Sequence, residues 1–251
     1  IAPGVMLDCM VGAHNGARNL TTGVVTFDPL AKLPYHTHTF AESITLLSGE
    51  AVVEVEGRMY QMNPLDNVTV PRGVAHSARN TSRQDEASFH IVLASSEPDR
   101  TWVDTFFSRR SMAQRSYMQP GGERYTHSAD AERYEPGPNA SFIDFFNAEL
   151  IPGLEMSGGY GEFGQGGRLP AHLHDFDESI CIPTGDATCM VEGRRYQLGN
   201  LATALQPRGR VHYFINETPE SMSMLWAYAG PMPERLVVDG ACADVAGVAW
   251  D

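Results

Sequence analysis

Six of the nine histidines fall into two matched sets, His36, His38 and His76, then His172, His174 and His212, with Glu42 and Glu178 repeating beside them. Imidazoles and a carboxylate are nitrogen and oxygen donors, and three of the first with one of the second make a site for a divalent transition metal such as Mn, Fe, Co, Ni, Cu or Zn. His-x-His directs both rings to one face of a strand, because strand side chains alternate with period two. Glu42, four residues beyond His38, shares that face if the strand continues undistorted. His76 belongs to a separate strand, which a closed barrel can bring alongside. Four protein ligands leave about two positions of an octahedral metal open, so substrate or dioxygen can reach it, as catalysis requires. In that role Glu42 or Glu178 would move between ligand and base.

The two sets belong to a longer internal repeat. Shifted by 136 residues, His36–Asn80 aligns with His172–Asn216 without a gap, and 20 of 45 positions are identical. Self-similarity on this scale marks two copies of one structural unit. The match extends outward through Asp8 with Asp144, Gly23 with Gly159 and Phe27 with Phe163; after a one-residue change of offset, Pro98-Asp99-Arg100 answers Pro233-Glu234-Arg235. Within each copy, short β-branched runs alternate with Gly, Pro and Asn, which reads as strands and turns. Ala51–Val55, Glu56-Gly57 and Arg58–Met62 read as a hairpin with a tight glycine turn. Each copy is expected to be a small antiparallel sandwich or barrel. The domains are read as an N-terminal barrel over 1–104, a linker over 105–138 and a C-terminal barrel with a tail over 139–251. The linker contains Gln119-Pro120-Gly121-Gly122 and Glu135-Pro136-Gly137-Pro138, and its approach, Trp102 to Arg115, is expected to form a helix.

These residues carry a family resemblance. His36-Thr-His38-x-x-x-Glu42-x6-Gly49 followed by Pro71-x-Gly73-x-x-His76-x-x-x-Asn80 resembles the two motifs of the cupin superfamily, and the second copy repeats both from His172 to Asn216. The chain is therefore similar to a bicupin over roughly 6–104 and 142–239. The resemblance implies an all-β fold of two double-stranded β-helix (jelly-roll) barrels, joined by a short, partly helical linker. It places a 3-His/1-Glu metal site in each barrel, up to two metals per chain, and is compatible with homodimers paired through exposed sheet edges. One departure stands out: the glycine expected ahead of the first His is absent at residue 30, which is Leu, whereas Gly166 stands close to that place in the second copy.

Composition removes other classes. The 251 residues include 18 basic and 31 acidic side chains, a formal charge of −13, which disfavours nucleic acid as a partner. No run of about 18 apolar residues is present to span a membrane. Residues 1–12 carry no basic start or long apolar core, so a leader peptide is absent or lies outside this sequence. Cys9, Cys181, Cys189 and Cys242 show no paired spacing, which reads as free thiols in the cytoplasm. Gly159-x-Gly161-x-x-Gly164 lacks the strand–turn–helix context of a nucleotide site.

Several residues near the motifs invite further readings. His14, His90 and His127 have no repeat partner and read as exposed or core-satisfied, with His90 a candidate to border the first cavity. Arg72 and Arg208 sit beside the last ligand of each copy; they suit a substrate carboxylate or, more readily, a surface role. Asp175 and Asp177 replace Thr39 and Ala41 and would make the second mouth more acidic, while Phe40 and Phe176 read as rim or core. The functional expectation is a metal-dependent enzyme acting on a small oxygen-rich molecule. An oxygen-dependent dioxygenase is preferred, because several cupins of that kind share the ligand set. Alternatives are a non-redox Mn or Zn hydrolase, isomerase or decarboxylase, and a non-catalytic bicupin that binds metal or ligand.

Overall fold

The computed structural model describes residues 1–112, 117, 118 and 122–239. Of the described residues, those within 1–131 and 145–156 form one compact unit and those within 132–144 and 157–239 form the other. Both are built from strands. Among the described residues the only helical turns are the 3-10 turns Ala13–Asn15 and Ser128–Asp130, and no helix is long and apolar enough to cross a membrane.

In the first unit one sheet takes the order Val5–Val11, Thr21–Phe27, Ala87–Leu93, Glu42–Ser48, Asn67–Val70, Arg124–Thr126, Tyr117–Met118. The facing sheet runs Thr101–Trp102, Lys32–Thr37, His76–Asn80, Ala51–Val55, Arg58–Met62, Arg110–Ser111. Between Thr21 and Leu93 the chain crosses from one sheet to the other at each strand except at the hairpin Ala51–Val55/Arg58–Met62, which is the jelly-roll solution to the problem of exposed edges. The second unit repeats the plan, with Ala140–Phe146, Ser157–Phe163, Met222–Tyr228, Glu178–Thr184 and Thr203–Gln206 in one sheet. Its other sheet orders Arg194–Gly199, Asp186–Val191, His212–Ile215, His172–Leu173 and Leu236–Val237.

Period-two alternation decides what faces the interior. Phe89, Ile91 and Leu93 enter the first core with Val25, Phe27 and Ile44. Phe142, Phe163, Ile180, Phe214, Trp226 and Tyr228 fill the second. His90, between two inward residues, is directed to the opposite face beside Val24 and Thr45, so it does not border the first cavity. The Glu56-Gly57 turn has φ of 45° and 86°, and Glu192-Gly193 has 46° and 77°. Two successive left-handed residues give the turn twist that a two-residue hairpin requires.

The helix expected over Trp102 to Arg115 is not formed where the chain is described; residues 113–115 lie outside the described residues. Thr101–Trp102 and Arg110–Ser111 instead add to the edges of the second sheet, and Phe107 lies 4.8 Å from the Tyr35 ring. The amides of Val103, Arg110 and Met112 donate to the carbonyls of Tyr35, Gly57 and Met59. Backbone groups satisfied by an existing sheet edge have no need of helical partners. Gln119-Pro120-Gly121, Cys242 and the tail from residue 240 also lie outside the described residues.

Leu30 resolves the motif's missing glycine. Its φ is 62°, while Gly166, one repeat later, has 72°. The loop keeps the left-handed conformation and the first copy places a leucine in it.

Candidate metal centres

Each putting-together of the four donors depends on a bend that the strand pattern does not reveal. The strand Lys32–Thr37 ends before His38, and Glu42 opens a strand of the other sheet. Glu42 therefore does not continue the face of His36; it meets the histidines from across the barrel. His76 is supplied by the neighbouring strand, with His36 and His76 in direct register. In the second copy His172 pairs with His212 in the same way, and Glu178 opens the opposing strand.

All eight residues are buried. In each group the donor atoms lie within 4.8 Å of one another. Glu42 Oε2 is 3.9 Å from His36 Nε2, 3.0 Å from His38 Nε2 and 2.8 Å from His76 Nε2. Glu178 Oε2 is 3.0 Å from His174 Nε2 and 2.9 Å from His212 Nε2. Metal bonds of about 2.1 Å at right angles would set adjacent donors about 3 Å apart.

The other ring nitrogen of every histidine is committed. Nδ1 of His36, His76, His172 and His212 donates to the carbonyl two residues earlier, at 2.8–2.9 Å. Nδ1 of His38 donates to Asp99 O and that of His174 to Phe176 O. A carbonyl can only accept, so the proton of each neutral ring is on Nδ1 and the lone pair is on Nε2, aimed inward. With all three rings neutral, three lone pairs and a carboxylate face each other without a donor, an arrangement that asks for a cation: a metal or, in its place, a proton on Nε2 donated to the glutamate. Consistently, Nε2 of His36 and of His172 is buried with no hydrogen-bond partner. The donor set fits a divalent transition metal in both barrels, as the spacing led one to expect.

The electrostatics lean the same way. Burial pulls the His36 pKa down and takes that of His172 to about 3, with His212 adding to the effect, so both rings stay neutral. Burial acts equally against charge on His38 and His174, but the hydrogen bonds and charge of Glu42 and Glu178 outweigh it and raise both. Burial opposes ionisation of the two glutamates, yet the hydrogen bonds from the histidines hold them well below the usual carboxylate range. Phe40 stacks on His38 at 4.9 Å and Phe176 on His174 at 5.0 Å, so the repeated phenylalanines brace the middle histidine.

A family model described as a cupin domain matches residues 23–93 and again 159–228. The chain belongs to the cupin family. Two matched stretches in one chain make it a bicupin. Its fold is similar to that of oxalate decarboxylase from Lactobacillus farciminis, solved as a formate complex: TM-score 0.74 at 16% identity, covering 95% of this chain and 85% of that one. Salicylate 1,2-dioxygenase from Pseudaminobacter salicylatoxidans gives 0.73 at 12% identity, covering 90% and 76%. AerE from Microcystis aeruginosa gives 0.66 at 14%, covering 91% and 93%. No curated protein matches the bicupin in sequence.

Other residues singled out by spacing sit elsewhere. Exposed Arg72 lies 3.4 Å from Glu155, and Arg208 is 3.4 Å from Asp177, whose carboxylate also accepts from the Arg208 amide at 3.0 Å. Buried Asp177 is thus tied into the turn. His127 Nδ1 is bonded to Asp66 at 2.9 Å. The residues that motif spacing overlooked are Arg100 and Arg235. Arg100 lines the first barrel's cavity with His36, Glu42 and His76, and Arg235 Nε donates to Tyr228 Oη at 3.0 Å. The repeat pairs these two arginines, and that pairing was the signal.

Proposed function

We propose that this bicupin is a metal-dependent enzyme acting on a small oxygen-rich molecule, with the reaction carried out in the first barrel. The observation that carries this reading is the convergence of His36, His38, His76 and Glu42 on one point, three of them (His36, His76 and Glu42) lining a small cavity of about 20 Å³ that opens towards solvent. A divalent metal held by these four residues would supply Lewis acidity and open coordination positions.

The chain's own residues supply the rest. The carbonyl-tied imidazoles hold their lone pairs in place before any ligand arrives, so little reorganisation is needed. Val25, Phe27, Ile44, Phe89 and Ile91 wall the cavity and exclude water. The catalytic roles of Glu42 and Glu178 are proposed as those of permanent anions facing the metal position, since a carboxylate held so acidic is a better ligand than base.

Oxygen-dependent dioxygenation is the reaction class we favour, because an apolar wall beside the metal position suits a nonpolar gas. The fold's likeness to an oxalate decarboxylase supports a second reading, a non-redox decarboxylase, hydrolase or isomerase. Cys9, Cys181 and Cys189 are all free thiols, which supports a cytoplasmic setting.

The deciding experiment follows oxygen consumption and product formation when the metal-loaded protein meets a panel of small hydroxy acids, oxalate and salicylate among them. Oxygen uptake that ends with a chelator and with His36→Ala supports dioxygenation. Turnover without oxygen selects the second reading. A metal-loaded protein that turns over nothing in the panel sinks the enzyme and leaves a binding protein.

A further inference from the structure

The two barrels keep the same donors but differ in what surrounds them. In the first, Arg100 reaches the cavity that holds His36, Glu42 and His76. Its Nε is buried without a hydrogen-bond partner, and among the described residues its guanidinium forms no ion pair. The only group stacked on it is the Trp102 ring, at 5.3 Å. Burying a cation without an anion is costly, and other half-buried arginines here are paired: Arg79 with Glu54, Arg58 with Glu123, Arg210 with Glu192. The charge of Glu42 reaches Arg100 without a hydrogen bond between them, so the guanidinium donors remain for a ligand. The guanidinium fork matches a carboxylate, and the apolar walls at Val25, Phe27, Ile44, Phe89 and Ile91 ask that the rest of that ligand be apolar.

In the second barrel this vacancy is filled from within. The offset of 135 residues that pairs Arg100 with Arg235 also pairs Leu93 with Tyr228 and Ile91 with Trp226. Tyr228 Oη accepts from Arg235 Nε at 3.0 Å, and the Tyr228 ring lies 5.0 Å from His174 and 5.1 Å from Phe176. Trp226 packs 5.2 Å from Tyr228. Aromatic rings stand where the first barrel has Leu93 and Ile91, and the phenol occupies the guanidinium Nε.

We propose that Arg100 anchors the carboxylate of a small, mostly apolar acid beside the first metal centre, and that the second barrel, with Tyr228 seated on Arg235, does not take this ligand. The inference rests on the metal-centred reading above and narrows its oxygen-rich substrate to an acid whose oxygens gather at the metal position and at Arg100, with an apolar remainder; it also assigns the barrel.

Binding, not turnover, tests it. Full-length protein loaded with Zn(II) is titrated calorimetrically with acetate and isobutyrate, then with acetamide and isobutyramide. The acids are expected to bind, and the amides about tenfold more weakly or worse. Arg100→Gln should weaken the acids by about tenfold or more at unchanged zinc content and melting temperature, while Arg235→Gln leaves them unaffected. Leu93→Tyr keeps Arg100 and places the second barrel's ring beside Glu42, so it gives an independent reading: acid binding should disappear. The proposal is overturned if acids and amides bind alike, if neither acid binds, if either first-barrel variant binds acids as wild type does, or if Arg235→Gln costs as much as Arg100→Gln. Failure of the metal reading would look different, as a protein that holds no zinc.

Discussion

Leu93 and Tyr228 occupy the same place in the two copies: Leu93 stands in register with Glu42, and Tyr228 with Glu178. The strands that carry the metal donors are therefore equivalent, and the side chain beside each glutamate is a leucine in one copy and a tyrosine in the other. Both copies keep a donor set that fits a metal. The neighbours of the two donor sets have diverged, which is the ground for proposing different roles for them.

Metal content follows directly. Protein purified without nickel resin or chelator should carry about two metal atoms per chain by plasma mass spectrometry, and His36→Ala and His172→Ala should each remove about one. Retention of both atoms in either variant would contradict histidine ligation.

The repeated asparagine at the end of the second motif is explained by the loop it clamps. Asn80 Nδ2 donates to the carbonyls of Phe27, Asp28 and Asp85 at 2.7–3.2 Å, and its Oδ1 accepts from the Ser82 amide at 2.9 Å. Asn216 repeats this with Phe163, Gly164, Glu220 and Thr218. Asn80→Ala strands several buried polar groups and should cost roughly 3 kcal/mol in chemical denaturation, without altering metal stoichiometry at neutral pH. A cost below about 1 kcal/mol would mean that water replaces the amide.

Leu30 stores removable strain. A left-handed leucine costs roughly 1–2 kcal/mol, partly offset by the greater chain entropy of glycine, so Leu30→Gly should stabilise the protein by about 0.5–1 kcal/mol. The exposed side chain leaves little packing to lose. Gly166→Ala should do the reverse by a similar amount, since a Cβ there meets nothing within 4 Å and only the backbone angle resists. Equal melting temperatures for all three proteins would refute the strain.

His90 gives a pH dependence of defined sign. Burial lowers its pKa to about 4, against about 6.5 in the unfolded chain. The unfolded state therefore takes up a proton first as the pH falls. The stability contributed by the neutral ring is complete above pH 6.5, declines between 6.5 and 4, and is gone below about 4. His90→Leu should narrow the difference in stability between pH 7 and pH 4 by about 2–3 kcal/mol relative to wild type, as read by urea denaturation at each pH. An unchanged difference would place the acid sensitivity elsewhere.

The donors and the barrels were legible because each is encoded by residue type and short spacing, twice. His-x-His with a glutamate four residues on, and a later His before Asn, survives any uncertainty over strand ends. The path between His38 and Glu42 was not legible, since the turn at 39–41 moves the glutamate to the opposing sheet and only tertiary pairing with Val70 and Leu93 shows it. The stretch after Trp102 reads as helical locally, yet its backbone groups are claimed by Tyr35, Gly57 and Met59, residues some fifty positions earlier. Arg72 and Arg208 drew attention by standing next to ligands, but their acidic partners are 83 and 31 residues away. Arg100, far from both motifs, was visible only as a matched letter in the repeat.

All six donor imidazoles are oriented by main-chain carbonyls, and no side chain is needed to hold their tautomers. Substitution of the surrounding side chains thus cannot by itself turn a ring around; only rerouting a strand can. The barrel interior is accordingly free to be redesigned around a fixed centre, one pocket at a time, and a chain of this kind can change what it accepts long before it loses the place where it accepts it.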